Sequence, residues 1–321
     1  MGEVEMNSLK RLSQIFESAV RIPFDDSSRI ILMSDCHRGD GSQADDFMNN
    51  ENVYLSALNH YYDEGFTHIE IGDGDELWEN KQLSDIITAH LDAFLLLRKF
   101  HLDNRLYLIY GNHDMVKRSE KYVKSDLYSY LDKRDKRTLP LFENIRVHEG
   151  LVLEYKGEER QIRNKRILLI HGHQVDELNS RFWKVSRFLV RYFWKPLELF
   201  GVNNPTSPAQ NYEKKEKVGR RLTEWVVKTN QMLIAGHNHR PMFPEIGEPL
   251  YFNDGSCVHP LFVTGIEIDR GEISLVKWGV KVKAEGILYV GKDILAGPRK
   301  LWEFFTAERI FESSSFKDLA S

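Results

Sequence analysis

The chain has 321 residues, 41% of them hydrophobic, and a formal net charge of −4. That length suits one large α/β domain with an insertion better than two full domains, and the apolar fraction is enough to bury a sizeable core. The acidic balance excludes a global attraction to nucleic acid or anionic membrane, and two cysteines, Cys36 and Cys257, exclude a disulfide framework.

No apolar run is long enough to span a bilayer, and no apolar region precedes a small-residue cleavage site, so a cytoplasmic protein is the expectation. Met1-Gly2 raises the question of myristoylation, but Met6 stands where Ser or Thr is needed. Leu9, Leu12, Phe16 and Val20 recur at helical spacing, which predicts an N-terminal docking helix within residues 1–28. After Pro23 the apolar run Arg29–Met33 stops at Ser34-Asp35-Cys36-His37 and reads as a buried strand ending in a polar loop. The pattern repeats. Thr67–Ile71 runs into Gly72-Asp73-Gly74-Asp75, and Leu106–Tyr110 into Gly111-Asn112-His113-Asp114. Ile167–Ile170 meets His171-Gly172-His173, and Met232–Ala235 meets Gly236-His237-Asn238-His239.

Helical stretches near 47–64 and 82–101 separate the early strands, so the alternation predicts a largely parallel sheet covered by helices. Ligands of such sheets bind beyond the carboxyl ends of the strands, which brings all five polar turns to one edge. The segment from 174 to 230 differs in composition and is expected to be an inserted helical cap. Arg181, Lys184, Arg187, Arg191 and Lys195 form a basic stripe at steps of three or four, with Phe182, Leu189, Tyr192 and Phe193 among the aromatic and aliphatic residues between them. Pro196 ends that helix and a second follows over 209–229. The stripe is either a source of cations and aromatics for a substrate, a membrane-surface helix, or a solvated face. Residues 279–321 read as a C-terminal extension, with Leu301, Trp302, Phe304 and Phe305 forming a docking helix or an oligomer contact.

The turns supply Asp35, His37, Asp73, Asn112, His171, His237 and His239: oxygen and imidazole donors with no thiolate. That set suits Mn, Fe, Zn, Co or Ni better than an all-oxygen calcium or magnesium cage. Asp35 or Asp73 alone is as well explained by helix capping and turns. Alternating histidines after an apolar strand are not. Arg38 is placed to reach a substrate phosphate bidentately or to face solvent, and Cys36 reads as core filling.

Asp35-x-His37, Gly72-Asp73, Gly111-Asn112-His113-Asp114, His171 and Gly236-His237-x-His239 resemble, block by block and in order, the calcineurin-like metallophosphoesterase pattern. The resemblance covers roughly residues 29 to 256, including Asn253-Asp254-Gly255-Ser256. It implies a four-layer α/β/β/α sandwich, here over 29–278 with the cap inserted. It further implies two transition-metal ions, Mn first and Fe, Zn, Co or Ni as alternatives. Asp35, His37, Asp73 and His239 would hold one, and Asp73 would bridge to a second held by Asn112, His171 and His237. His113 becomes the general acid or phosphate donor, oriented by Glu76 or Asp75, with Glu76 preferred by motif spacing, while Asp114 supports the turn. The implied reaction is hydrolysis of a phosphomonoester, phosphodiester or pyrophosphate by a metal-bound hydroxide. Arg38, His173, Arg181 and Arg187 are the candidate substrate contacts.

Gly72-Asp-Gly-Asp-Glu-Leu-Trp78 and the basic aromatic cap also resemble the UDP-diacylglucosamine hydrolases, which cleave a nucleotide-lipid pyrophosphate. The chain departs from them at His113, where they carry Arg, and at His173, where they carry Asp. Two rivals remain: a nuclease, disfavoured by the acidic balance, and a non-catalytic scaffold that binds a membrane or partner through the cap.

Overall fold

The computed structural model describes residues 3–132, 135–158, 164–176 and 212–307. α1 (Glu3–Ser18) buries Leu9, Leu12 and Phe16, as their spacing predicts. The stripe stops there: Val20 is 46% exposed and begins β1 (Val20–Phe24). Among the described residues this strand pairs only with β8, so its Pro23 costs no ladder hydrogen bond on the outer edge.

The chain continues through β2 (Arg29–Met33), α2 (Glu51–Asp63), β3 (Thr67–Ile71), α3 (Leu83–Ala89), α4 (Leu91–Leu102) and β4 (Leu106–Ile109). α5 (Glu120–Asp126) precedes a small hairpin, β5 (Ser129–Asp132) and β6 (Arg137–Pro140). β7 (Val147–His148), β8 (Gly150–Tyr155) and β9 (Arg166–Ile170) follow, then α6 (Tyr212–Thr229), β10 (Met232–Ala235) and β11 (Tyr251–Asn253). β12 (Phe262–Asp269), β13 (Glu272–Val282), β14 (Leu288–Lys300) and α7 (Leu301–Thr306) complete the described chain.

Two sheets face each other. One has seven strands in the order β14-β13-β12-β2-β3-β4-β7, the other five in the order β1-β8-β9-β10-β11. Strand alternation explains the layering. Ile30 and Leu32 of β2 join the core between the sheets, whereas Ile31 and Met33 join the core under α2 and α4. On the far side, α1 and α6 pack together, with Phe16 and Trp225 edge to face at 5.6 Å. Helices, two sheets and helices make four layers, as the resemblance implied.

The five strands that precede polar turns do not share one sheet. β2, β3 and β4 are parallel neighbours in the larger sheet, and β9 and β10 in the smaller. Of the later strands, β8 and β11 join the smaller sheet. β12 runs antiparallel to β2, with Ile266 opposite Leu32, and carries β13 into the larger sheet. Beyond Trp278, β13 runs on to Val282 and pairs with β14 from Val282–Leu288 to Glu272–Lys300. Phe304 of α7 then packs edge-on against Phe243 and Phe252. The basic stripe, with Arg181 and Arg187, lies outside the described residues. No described helix is long and apolar enough to cross a membrane.

Candidate metal centre

The ends of β2, β3 and β4 meet those of β9 and β10 along one edge of the sandwich. Backbone bonds set the loops level within each sheet: Asp35 donates to the Gly72 carbonyl (3.1 Å), His37 to Asp73 (2.9 Å) and Gly236 to His171 (3.0 Å). Side chains then tie sheet to sheet. His171 Nδ1 lies 2.9 Å from the Ile71 carbonyl, and the His237 amide donates to Asp35 Oδ2 at 2.9 Å. Gly72 permits the approach, because a Cβ there would stand 2.7 Å from the His171 ring. Five of the seven candidate ligands hold left-handed backbone: Asp35 (φ 51°), His37 (47°), Asp73 (49°), His237 (68°) and His239 (51°). Asp and His are among the few residues that visit this region with any frequency, and such outliers concentrate at functional sites.

The donor atoms fall into two groups. Those of Asp35, His37 and His239 lie within 4.8 Å of one another, as do those of Asp73, His171 and His237. Asp35 Oδ1 is 3.0 Å from His239 Nε2 and 3.7 Å from His37 Nε2. Asp73 Oδ2 is 3.1 Å from His171 Nε2 and 3.8 Å from His37 Nε2, so Asp73 touches both groups. Metal–ligand bonds of about 2.1 Å put neighbouring donors roughly 3.0–3.5 Å apart, which is the spacing of the closer pairs. Asn112 sits between Gly111 and His113, whose amide donates to Asp73 Oδ1 at 2.8 Å.

Two further observations test the fit to metal. Buried atoms without a hydrogen bond among the described residues converge here: His37 Nε2, both side-chain heteroatoms of Asn112, and His237 Nε2. Nature rarely leaves such atoms unpaired unless an ion or water takes them. His171 Nε2 and His237 Nδ1 also face each other at 3.2 Å, although His171 Nδ1 is already committed to a carbonyl. The electrostatics agree. Burial should raise the carboxyl of Asp35, yet His239 and His171 hold it well below the ordinary range. Burial should lower His37, yet Asp35, Glu76 and Asp73 hold it well above; His171 is likewise raised to about 9 by Asp73 and Asp35. The carboxylates thus demand positive charge in the space between them, and protons on the imidazoles compete with a cation for the same lone pairs. The His and Asp clusters fit a metal site.

At the rim, His113 stacks on Trp78 with ring centres 4.2 Å apart, and its Nδ1 is 2.6 Å from Glu76 Oε2. The same carboxylate oxygen is 2.9 Å from His37 Nδ1, so Glu76 serves two imidazoles at once. Burial opposes its ionisation, but His113 and His37 hold its pKa far down. Asp75 does not reach His113. It binds Arg38 Nε at 2.7 Å and Lys117 Nζ at 2.6 Å.

Arg38 is also corrected. Only 1% exposed, it forms a bidentate pair with Glu70 at 2.8 and 2.9 Å, so its guanidinium is spent inside the protein rather than offered to a phosphate. His173 is fully buried, 5.6 Å from the His171 ring and 6.1 Å from that of Tyr110. Burial, with His171 and His237 beside it, keeps it neutral. Sequence reasoning passed over Trp78 as a platform and Asp176, whose Oδ2 is 3.7 Å from His237 Nε2. It also passed over Ser34, which bridges Asp35 (2.5 Å) and Asp254 (2.8 Å). Only their nearness to the motif blocks could have flagged them.

The model of the calcineurin-like phosphoesterases matches residues 28–241, two thirds of the chain. The chain belongs to that family. Metal-dependent phosphoester chemistry is therefore the context in which the seven donors stand. Among solved structures, Vps29 of Chaetomium thermophilum is 10% identical, with a TM-score of 0.37 over 84% of this chain and 96% of that one. The same protein complexed with a RaPID-derived cyclic peptide is 11% identical, with a TM-score of 0.32 and the same coverage. No curated protein matches the chain.

Proposed function

We propose that this member of the calcineurin-like phosphoesterases is a dimetal-dependent hydrolase of a phosphomonoester, phosphodiester or pyrophosphate. The observation that carries the reading is the convergence of donors into two groups, each with unpaired buried atoms, with Asp73 of one group 3.8 Å from His37 of the other. Asp35, His37, Asp73 and His239 would hold one ion, and Asp73, Asn112, His171 and His237 the other, with Mn the first candidate. Two such ions, when bound, supply an acidified water and neutralise charge on the phosphoryl group.

The chain's own residues do the rest. Glu76, kept ionised, accepts from His37 Nδ1 and lies 2.6 Å from His113 Nδ1, which ties both rings to one carboxylate. His113 can then donate from Nε2 to a phosphoryl or leaving-group oxygen. Trp78 holds the plane of that ring. The two buried thiols, Cys36 and Cys257, suit work in a reducing compartment such as the cytoplasm.

The test strips the protein of metal and reloads it with Mn, Fe, Zn, Co, Ni or Mg beside Asp73→Asn. Bound metal is counted by mass spectrometry. Hydrolysis is followed on p-nitrophenyl phosphate, its bis ester and UDP-diacylglucosamine. Two equivalents and metal-dependent turnover are expected in the parent, with a loss of at least about 100-fold and of one or both metals in Asp73→Asn. A chain that takes up no metal, or one that turns over fully when stripped, would sink the reading. Two bound ions with no turnover on any of the three substrates would favour the scaffold. Preference among the three substrates decides the ester class.

A further inference from the structure

Under the metal centre, on the side covered by α2 and α4, five charged side chains are buried together. They are Arg38, Glu70, Asp75, Asp114 and Lys117, and none is more than 3% exposed. The guanidinium of Arg38 lies over the Phe94 ring of α4 at 5.2 Å. Lys117 Nζ stands between two carboxylates, 2.6 Å from Asp75 Oδ2 and 2.7 Å from Asp114 Oδ2. Each carboxylate uses its second oxygen to anchor a loop. Asp75 Oδ1 accepts from Arg38 Nε at 2.7 Å, and Asp114 Oδ1 accepts from the Gly111 amide at 2.6 Å. Asp75 follows Asp73 by two residues and Asp114 follows Asn112 by two. The ammonium therefore spans the loop after β3 and the loop after β4.

The contact is tight as well as charged. A Cβ at Gly74 would stand 2.0 Å from Glu70 Oε1 and 2.6 Å from Arg38 Nη2, so the first loop is pressed directly onto the ion pair. Burial would strip Lys117 of its proton, but Asp114 and Asp75 hold it protonated. A buried ion pair is weak evidence for stability, since well-packed apolar groups often do as well. What apolar groups cannot do is fix two carboxylates at one point between two loops.

We propose that Lys117 is a positioning residue whose ammonium, held between Asp75 and Asp114, sets the Asn112–His113 loop against the Asp73–Glu76 loop. Its catalytic consequence rests on the dimetal reading above; its structural consequence does not. Without the ammonium Asp114 loses the cation that holds it under the Gly111 amide, and Asn112 loses its place beside Asp73.

Three variants test this in the full chain: Lys117→Met, Lys117→Arg, and Lys117→Met with Asp114→Asn, which relieves the facing carboxylates and guards against a variant that fails to fold. The first readout is amide hydrogen exchange over 111–114 in metal-stripped protein. The second is bound metal together with kcat and KM. In Lys117→Met and in the double variant, protection over 111–114 should fall while that of β3 and β4 holds. Bound metal should drop from two to one, and kcat should fall about 10–100-fold with KM nearly unchanged. Lys117→Arg should recover part of each. A folded double variant with parental exchange, metal count and kcat overturns the proposal and leaves Lys117 a mere stabiliser. Should the parent itself bind no metal, the dimetal reading fails, and the exchange result alone still decides whether Lys117 positions the loop.

Discussion

The loops of the two sheets reach the same site by opposite means. The seven-stranded sheet supplies Asp35, Asp73 and Asn112 with one imidazole, His37, and rests them on the buried ions around Arg38 and Lys117. The five-stranded sheet supplies only imidazoles, and β9 and β10 beneath them are apolar from Ile167 to Ile170 and from Met232 to Ala235. The difference follows from charge. Carboxylates gathered in a low-dielectric edge need fixed cations nearby, whereas imidazoles need hydrogen bonds that set their ring faces. One half of the centre is held by electrostatics and the other by packing.

The sharpest way to break that contrast is Arg38→Met. It leaves Glu70 buried without its partner and Asp75 with only Lys117, so a loss of about 5 kcal/mol in urea unfolding is expected. Adding Glu70→Gln should return much of that, because the uncompensated charge goes with it. A flat result would mean that the ions do not carry the larger sheet. On the packing side, Trp225→Ala removes a buried indole that meets Phe16 and donates to Ser13 Oγ at 3.0 Å. An expected loss of about 4 kcal/mol by the same measurement should have no polar second-site remedy.

The smallest effect concerns pH. Burial lowers His68, on β3, to about 4, against an ordinary value near 6.5. The unfolded chain binds that proton first, so this contribution to stability is whole above about pH 6.5 and is lost as pH falls toward 4. It amounts to about 3 kcal/mol at most. The stability of His68→Phe relative to the parent should therefore improve across that window. A difference that stays constant from pH 7 to 4 would show that His68 does not couple to acid unfolding.

Much of this could be read in advance because buried parallel strands are unbroken apolar runs, and each of the five ends abruptly in donors. Such runs do not say which strands are neighbours. Ile30 and Ile31 look alike in sequence yet belong to different cores, and nothing in Phe262–Asp269 announces that it pairs with β2 rather than with the second sheet. Arg38 was misplaced for a related reason. Next to a ligand block it looks like a phosphate clamp, and its true partner, Glu70, is a strand residue 32 positions away. Lys117 went unnoticed because a lone lysine in a polar turn is ordinarily solvated.

The left-handed backbone at Asp35, His37, Asp73, His237 and His239 sets durability against purpose. An L-residue in that conformation costs about 1 kcal/mol that glycine avoids. Glycine at any of the five would relax the backbone and remove a donor in the same stroke. Heat tolerance alone would favour glycine at these positions, and each of the five side chains stands against that gradient.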